Sequence, residues 1–157
     1  MATKNAMFRA DNLAGTTQGK YLASIRMTED LANGAIVVPG AYEAGAREAR
    51  TYAAPAGGDG IGKIAILGSE EVTKDVQFDT VGGFINKKGT LARAYILEAG
   101  DIFSVSAEGF VTLPNVGDTV KVAAGAYKMG TAGDVTIGEC IAIEPADSTT
   151  NWYVVRV

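Results

Sequence analysis

Apolar and polar residues alternate with a period of two over several short runs of this chain. In YLASIRMT, Tyr21, Ala23, Ile25 and Met27 fall on one face and Leu22, Ser24, Arg26 and Thr28 on the other, the pattern of a half-buried strand. EDLANGAIVVPG follows with an Asn33-Gly34 turn, an apolar run from Ala35 to Val38 and a Pro39-Gly40 stop, which together predict a hairpin-like unit. AYEAGAREARTYAA, residues 41–54, is rich enough in alanine for a short helix. Gly45 interrupts it, however, and we read a loop entering a strand. APAGGDG is a loop, and GKIAILG is a buried strand carrying Ile64, Ile66 and Leu67. The polar, glycine-broken stretch from Ser69 onward is read as surface chain until ARAYIL resumes strand character. DIFSVS, DTVKV, DVTIG, CIAIE and WYVVRV complete the set.

This succession predicts a mainly β fold, a single compact domain over residues 20–157. A β-sandwich and a β-barrel share the alternating signature, so both stay open. Residues 1–19 are small, polar and basic, with Met7, Phe8 and Leu13 as isolated apolar points, and are read as an extended N-terminal arm that orders on a surface. A length of 157 residues suits one core. The twenty glycines cluster between apolar runs, as turn residues do.

Charge narrows the range of partners. The net charge is −4, yet Lys4, Arg9, Lys20 and Arg26 precede Glu29 against Asp11 alone. An acidic body argues against nucleic acid as a partner, because backbone binding needs clustered Lys and Arg. The basic N-terminal segment suits an acidic partner surface instead. No apolar run approaches the roughly 20 residues that span a bilayer, and MATKNAMFRADN has no apolar signal core, so no membrane association or export signal is expected.

Candidate chemistry is sparse. Histidine is absent and Cys140 is the single cysteine, which removes the commonest general base and any Ser-His or Cys-His nucleophile. It also removes intrachain disulfides and Cys-rich zinc sites. Cys140, in IGECIAIE, is read as a small core residue. Asp101 stands after a glycine at the head of an apolar run, a position that raises the question of catalysis. Gly-Asp recurs, however, at Gly100-Asp101, Gly117-Asp118 and Gly133-Asp134, 17 and 16 residues apart. Repetition in one local context points to turns whose Asp caps backbone N–H groups. Loops such as GGDG and PADS offer oxygen ligands without the spacing of a known calcium loop. AGGDGIGKIA lacks the Gly-Lys-hydroxyl ending of a phosphate loop and leads into a strand. No catalytic residue, metal or cofactor is expected.

One stretch carries a resemblance. FINKKGTLARAYILEAGDIFSVSAEGF holds Asn86, Gly89, Ala92, Arg93, Tyr95, Leu97, Gly100, Asp101, Phe103, Ser104 and Val105 in an N-x-x-G-x-x-A-R-x-Y-x-L-x-x-G-D-x-F-S-V pattern. With NVGDTVKV and NWYVVRV it resembles small auxiliary proteins from the head-gene blocks of tailed bacteriophages of Gram-positive hosts. MATKNAMF and YLASIRMTEDLANGAIV are similar more loosely, and Ala41 to Gly60 matches no pattern of that kind. The resemblance implies a non-enzymatic capsid decoration, or cement, protein. It would be made in the host cytoplasm and bound to the virion's capsid exterior, with the major capsid protein and other copies of itself as partners. On that reading Met7, Phe8 and Leu13 are apolar anchors to the shell, and Lys4, Arg9, Lys20 and Arg26 answer acidic capsid surface. A carbohydrate- or host-surface-binding module and a tail or fibre component are the alternatives.

Overall fold

A computed structural model describes residues 4–71, 82–146 and 148–157. Part of the polar stretch read as surface chain, residues 72–81, lies outside them. The described chain is mainly β, in two layers. One layer is a closed five-stranded barrel, order β2-β4-β3-β5-β6, made of β2 (Leu22–Arg26), β3 (Ile36–Glu43), β4 (Ala46–Ala53), β5 (Ala65–Leu67) and β6 (Leu91–Ile96). The other is a six-stranded sheet, order β1-β7-β11-β10-β8-β9. It comprises β1 (Phe8–Asn12), β7 (Ile102–Ser106), β8 (Thr119–Val122), β9 (Met129–Gly130), β10 (Val135–Pro145) and β11 (Asn151–Arg156). Among the described residues no helix is long and apolar enough to cross a membrane.

Side-chain size explains the barrel. Five strands enclose a narrow interior, and Ala23, Ala35, Ala65, Ala92 and Ala94 fill it together with Ile25, Met27, Val37 and Leu67. The outer face of the same strands is not free. Ile36, Ile66 and Tyr95 pack with Phe103, Val105, Val120, Val122, Tyr153 and Val155 of the six-stranded sheet into a second core. Strand β5 is therefore covered on both faces, which is why it reads as an unbroken apolar run instead of an alternation.

Two local expectations change. β2 and β3 are not neighbours, because β4 lies between them in the barrel, so Asn33-Gly34 does not close a hairpin. Asn33 is buried instead: its side chain donates to the Ser69 carbonyl (2.9 Å) and accepts from the Ser69 N–H (3.0 Å) and from Asn86 (3.0 Å). That exchange joins the β2–β3 connection to both ends of the β5–β6 connection, and a buried amide needs such partners. Second, β3 does not stop at Pro39-Gly40 but runs on to Glu43, then turns through Ala44-Gly45 into β4. The register shifts between Pro39 and Tyr42, and such a bulge accommodates a proline with no N–H to give to the ladder. Residues 41–54 are thus largely the two arms of a hairpin.

The N-terminal segment is extended but not free. Strand β1 pairs antiparallel with β7, Phe8 opposite Val105 and Arg9 opposite Ser104, and covers an edge that would otherwise be open. Met7 extends the pairing: its N–H donates to Ser106 Oγ (2.8 Å) and its carbonyl accepts from the Ser106 N–H (3.0 Å). The Phe8 ring lies 5.8 Å from that of Tyr95, wedged between sheet and barrel. Gly68 admits it there, since a Cβ at that position would come within 2.5 Å of the Phe8 ring.

Candidate functional site

The seven residues read as capsid-facing do not form one surface. Met7 and Leu13 are 7% and 2% exposed, Phe8 is packed against the shared core, and all three hold the chain's own fold together. In this fold the three are taken up by the chain's own packing. Arg9 is engaged within the chain. Its guanidinium pairs with Asp11 (2.7 Å) and Glu144 (2.9 Å), donates to Ser104 Oγ (3.1 Å) and lies 5.2 Å from the Trp152 ring centroid. The two carboxylates raise the arginine's pKa, with the Glu144 hydrogen bond the largest cause. Ser104 in turn donates to Asp11, so β1, β7, β10 and β11 are laced on their outer face. Arg26 pairs with Glu43 (3.0 Å) and donates to the Gly89 carbonyl (3.0 Å). Lys4 lies beside Gly82. Lys20 lines a groove on the barrel.

Asp101 acts in folding. Oδ2 accepts from the Glu98 N–H (2.9 Å) across a turn in which Gly100 has φ 94°, and Oδ1 accepts from the Ala14 N–H (3.0 Å). The Asp101 carbonyl also accepts from the Val157 N–H (2.8 Å). One residue therefore ties both terminal segments to the middle of the chain. Asp118 repeats the turn, accepting from the Asn115 N–H (2.8 Å) beside Gly117 at φ 95°. Asp59 repeats it again, accepting from the Ala56 N–H (2.9 Å) beside Gly58 at φ 93°. Positive φ at the third turn position is what demands glycine. Asp134 departs from the pattern and accepts from the more distant Ala124 N–H (3.3 Å). The repeat is real in three places, and one of them, Gly58-Asp59, is a fourth Gly-Asp pair of the sequence besides Gly100-Asp101, Gly117-Asp118 and Gly133-Asp134.

The remaining candidate chemistry is quiet. Cys140 is fully buried and desolvation raises its thiol pKa, the environment of an inert core cysteine. Among the described residues no group of three or more His, Cys, Asp or Glu is placed to hold a metal ion.

Among the described residues two exposed features stand out. The first is the loop between the Ala107–Gly109 turn and β8, where Val111, Leu113 and Val116 are 71%, 49% and 60% exposed. The second is a groove of about 290 Å³ on the barrel, lined by Lys20, Leu22, Ser24, Tyr42, Arg47, Glu48 and Arg50 among others. It lies where β2 and β4 part, for those two parallel strands share only the pair Ile25 and Arg50. Reading residues 41–54 as a loop entering a strand, instead of the two arms of a hairpin, concealed this groove. The signal was the trio Arg47, Glu48 and Arg50 around the buried Ala49. Comparisons with family models, with curated proteins and with solved structures found no match to this chain.

Proposed function

We propose that the chain is a capsid decoration, or cement, protein: a non-catalytic β domain that binds the outer surface of a tailed-phage head. Its partners on this reading are the major capsid protein and neighbouring copies of itself. The observation that carries the docking half of the proposal is the loop with Val111, Leu113 and Val116 exposed together. Apolar side chains clustered in water mark a surface that another protein covers. The resemblance supplies the identity of that protein. Its pattern residues serve the fold: Asn86, Ala92, Leu97, Phe103, Ser104 and Val105 are buried, and Gly100 and Asp101 build a turn. The pattern therefore speaks for a shared scaffold, and Val111 and Leu113, which fall between the resembling stretches, are the part free to meet a particular shell.

A modest contact per copy is sufficient in this role, because a shell offers many identical sites and neighbouring copies reinforce each other. The test is cosedimentation of purified protein with heads that lack it. Wild-type protein pellets with the heads, whereas Val111→Asp with Leu113→Asp stays in the supernatant at unchanged thermal stability. Equal pelleting of both proteins would place the contact elsewhere, and no pelleting of either would remove the proposal.

A further inference from the structure

The groove between β2 and β4 has the chemistry of a binding site for carboxylates. Lys20, Arg47 and Arg50 face it against the single carboxylate of Glu48, a local positive excess on a chain whose net charge is −4. Arg50 is held in place, donating through Nε to the Gly40 carbonyl (2.8 Å) with its guanidinium 5.8 Å from the Tyr42 ring centroid. Arg47 makes no hydrogen bond or ion pair among the described residues and is exposed. An arginine fork without a protein partner is matched to carboxylate geometry. Tyr42, 56% exposed, and Leu22 give the groove an apolar rim.

The seam also says what kind of carboxylate it suits. Beyond the Ile25 and Arg50 pair, the neighbouring strands β2 and β4 form no further ladder pair, so backbone of Leu22 to Ser24 and Arg47 to Glu48 lines the groove outside the ladder. Extended peptide recognises such segments through its main chain, while alternate side chains enter the pockets. A cavity near the roughly 300 Å³ lower limit of ordinary ligand sites admits a short segment and no folded partner. We infer that this groove binds an extended acidic peptide, its carboxylates on Arg47 and Lys20 and its backbone along the β2–β4 seam. The inference rests on the barrel alone and is independent of any shell.

Fluorescence anisotropy of the full chain with a short labelled peptide alternating glutamate and serine tests it. The glutamate peptide binds and its glutamine counterpart does not, and affinity falls as salt screens the charges. Lys20→Gln with Arg47→Gln weakens binding by about tenfold or more. Glu48→Gln strengthens it by about twofold through removal of the opposing charge, a gain that no misfolded variant can imitate. Equal affinity for wild type and the double variant, or an acidic oligosaccharide displacing the peptide at lower concentration than unlabelled peptide does, would overturn the assignment.

Discussion

Asp101 shows how one carboxylate can look catalytic in sequence and be structural in space. Both of its oxygens are taken by backbone N–H groups, from Glu98 and Ala14, and an N–H left unpaired in the protein costs about 1–3 kcal/mol. Asp101→Ala is therefore expected to lower stability by about 2 kcal/mol. Asp118→Ala, which removes one bond in an exposed turn, costs about 1 kcal/mol or less on the same scale. Chemical denaturation of the two variants checks the order. Tyr127 gives a pH-dependent prediction. Desolvation, then a hydrogen bond and charge repulsion from Glu29, then Tyr52, raise its hydroxyl pKa above the ordinary 10.0. With the folded value raised, the unfolded chain loses that proton first as pH climbs, so stability present below pH 10 declines above it. Tyr127→Phe removes this contribution, and its thermal stability should fall less steeply than wild type across that alkaline range.

At the scale of elements, what the sequence reveals depends on how local the cause is. The alternation in YLASIRMT, the apolar run IAIL and the glycine turns each report a contact or backbone angle within a few residues, and β2, β5 and the Asp turns appear where those signals lie. Strand partnership is not local. Asn33-Gly34 has the composition of a hairpin turn, but nothing near it encodes that β4 will come between β2 and β3. The N-terminal segment poses the same difficulty. Met7, Phe8 and Leu13 are too few for a periodic signal, and their burial depends on β7, whose pairing edge lies some hundred positions away in the register of Phe8 with Val105. The consequence is testable. Leu13→Ala should cost about 2–5 kcal/mol, as a leucine lost from a core does, and deleting residues 1–13 should abolish cooperative unfolding. A truncation that melted like the full chain would show that β1 contributes nothing to the fold. Shell binding is better tested through the loop bearing Val111, whose exposed side chains can change without opening the core.

As a whole, the molecule divides its labour between an interior that consumes most of the residues catching the eye in the sequence and a surface on which, among the described residues, an apolar loop and a basic groove stand out. The barrel and sheet share a core, the Gly-Asp turns and the Arg9 lacing close its ends and outer face, and little of this presents chemistry to a substrate. The apolar loop and the basic groove are set apart on the six-stranded sheet and on the barrel, so a decoration protein built this way could hold a shell with one and an acidic segment with the other. The most direct measurement of the proposal that this chain decorates a phage head is an electron cryomicroscopy map of particles assembled in its presence. Density fitting the barrel and six-stranded sheet is expected on the outside of the head, with the Val111, Leu113 and Val116 loop turned toward the major capsid protein. Density for this chain only in the tail or its fibres, or its absence from the particle, would contradict it.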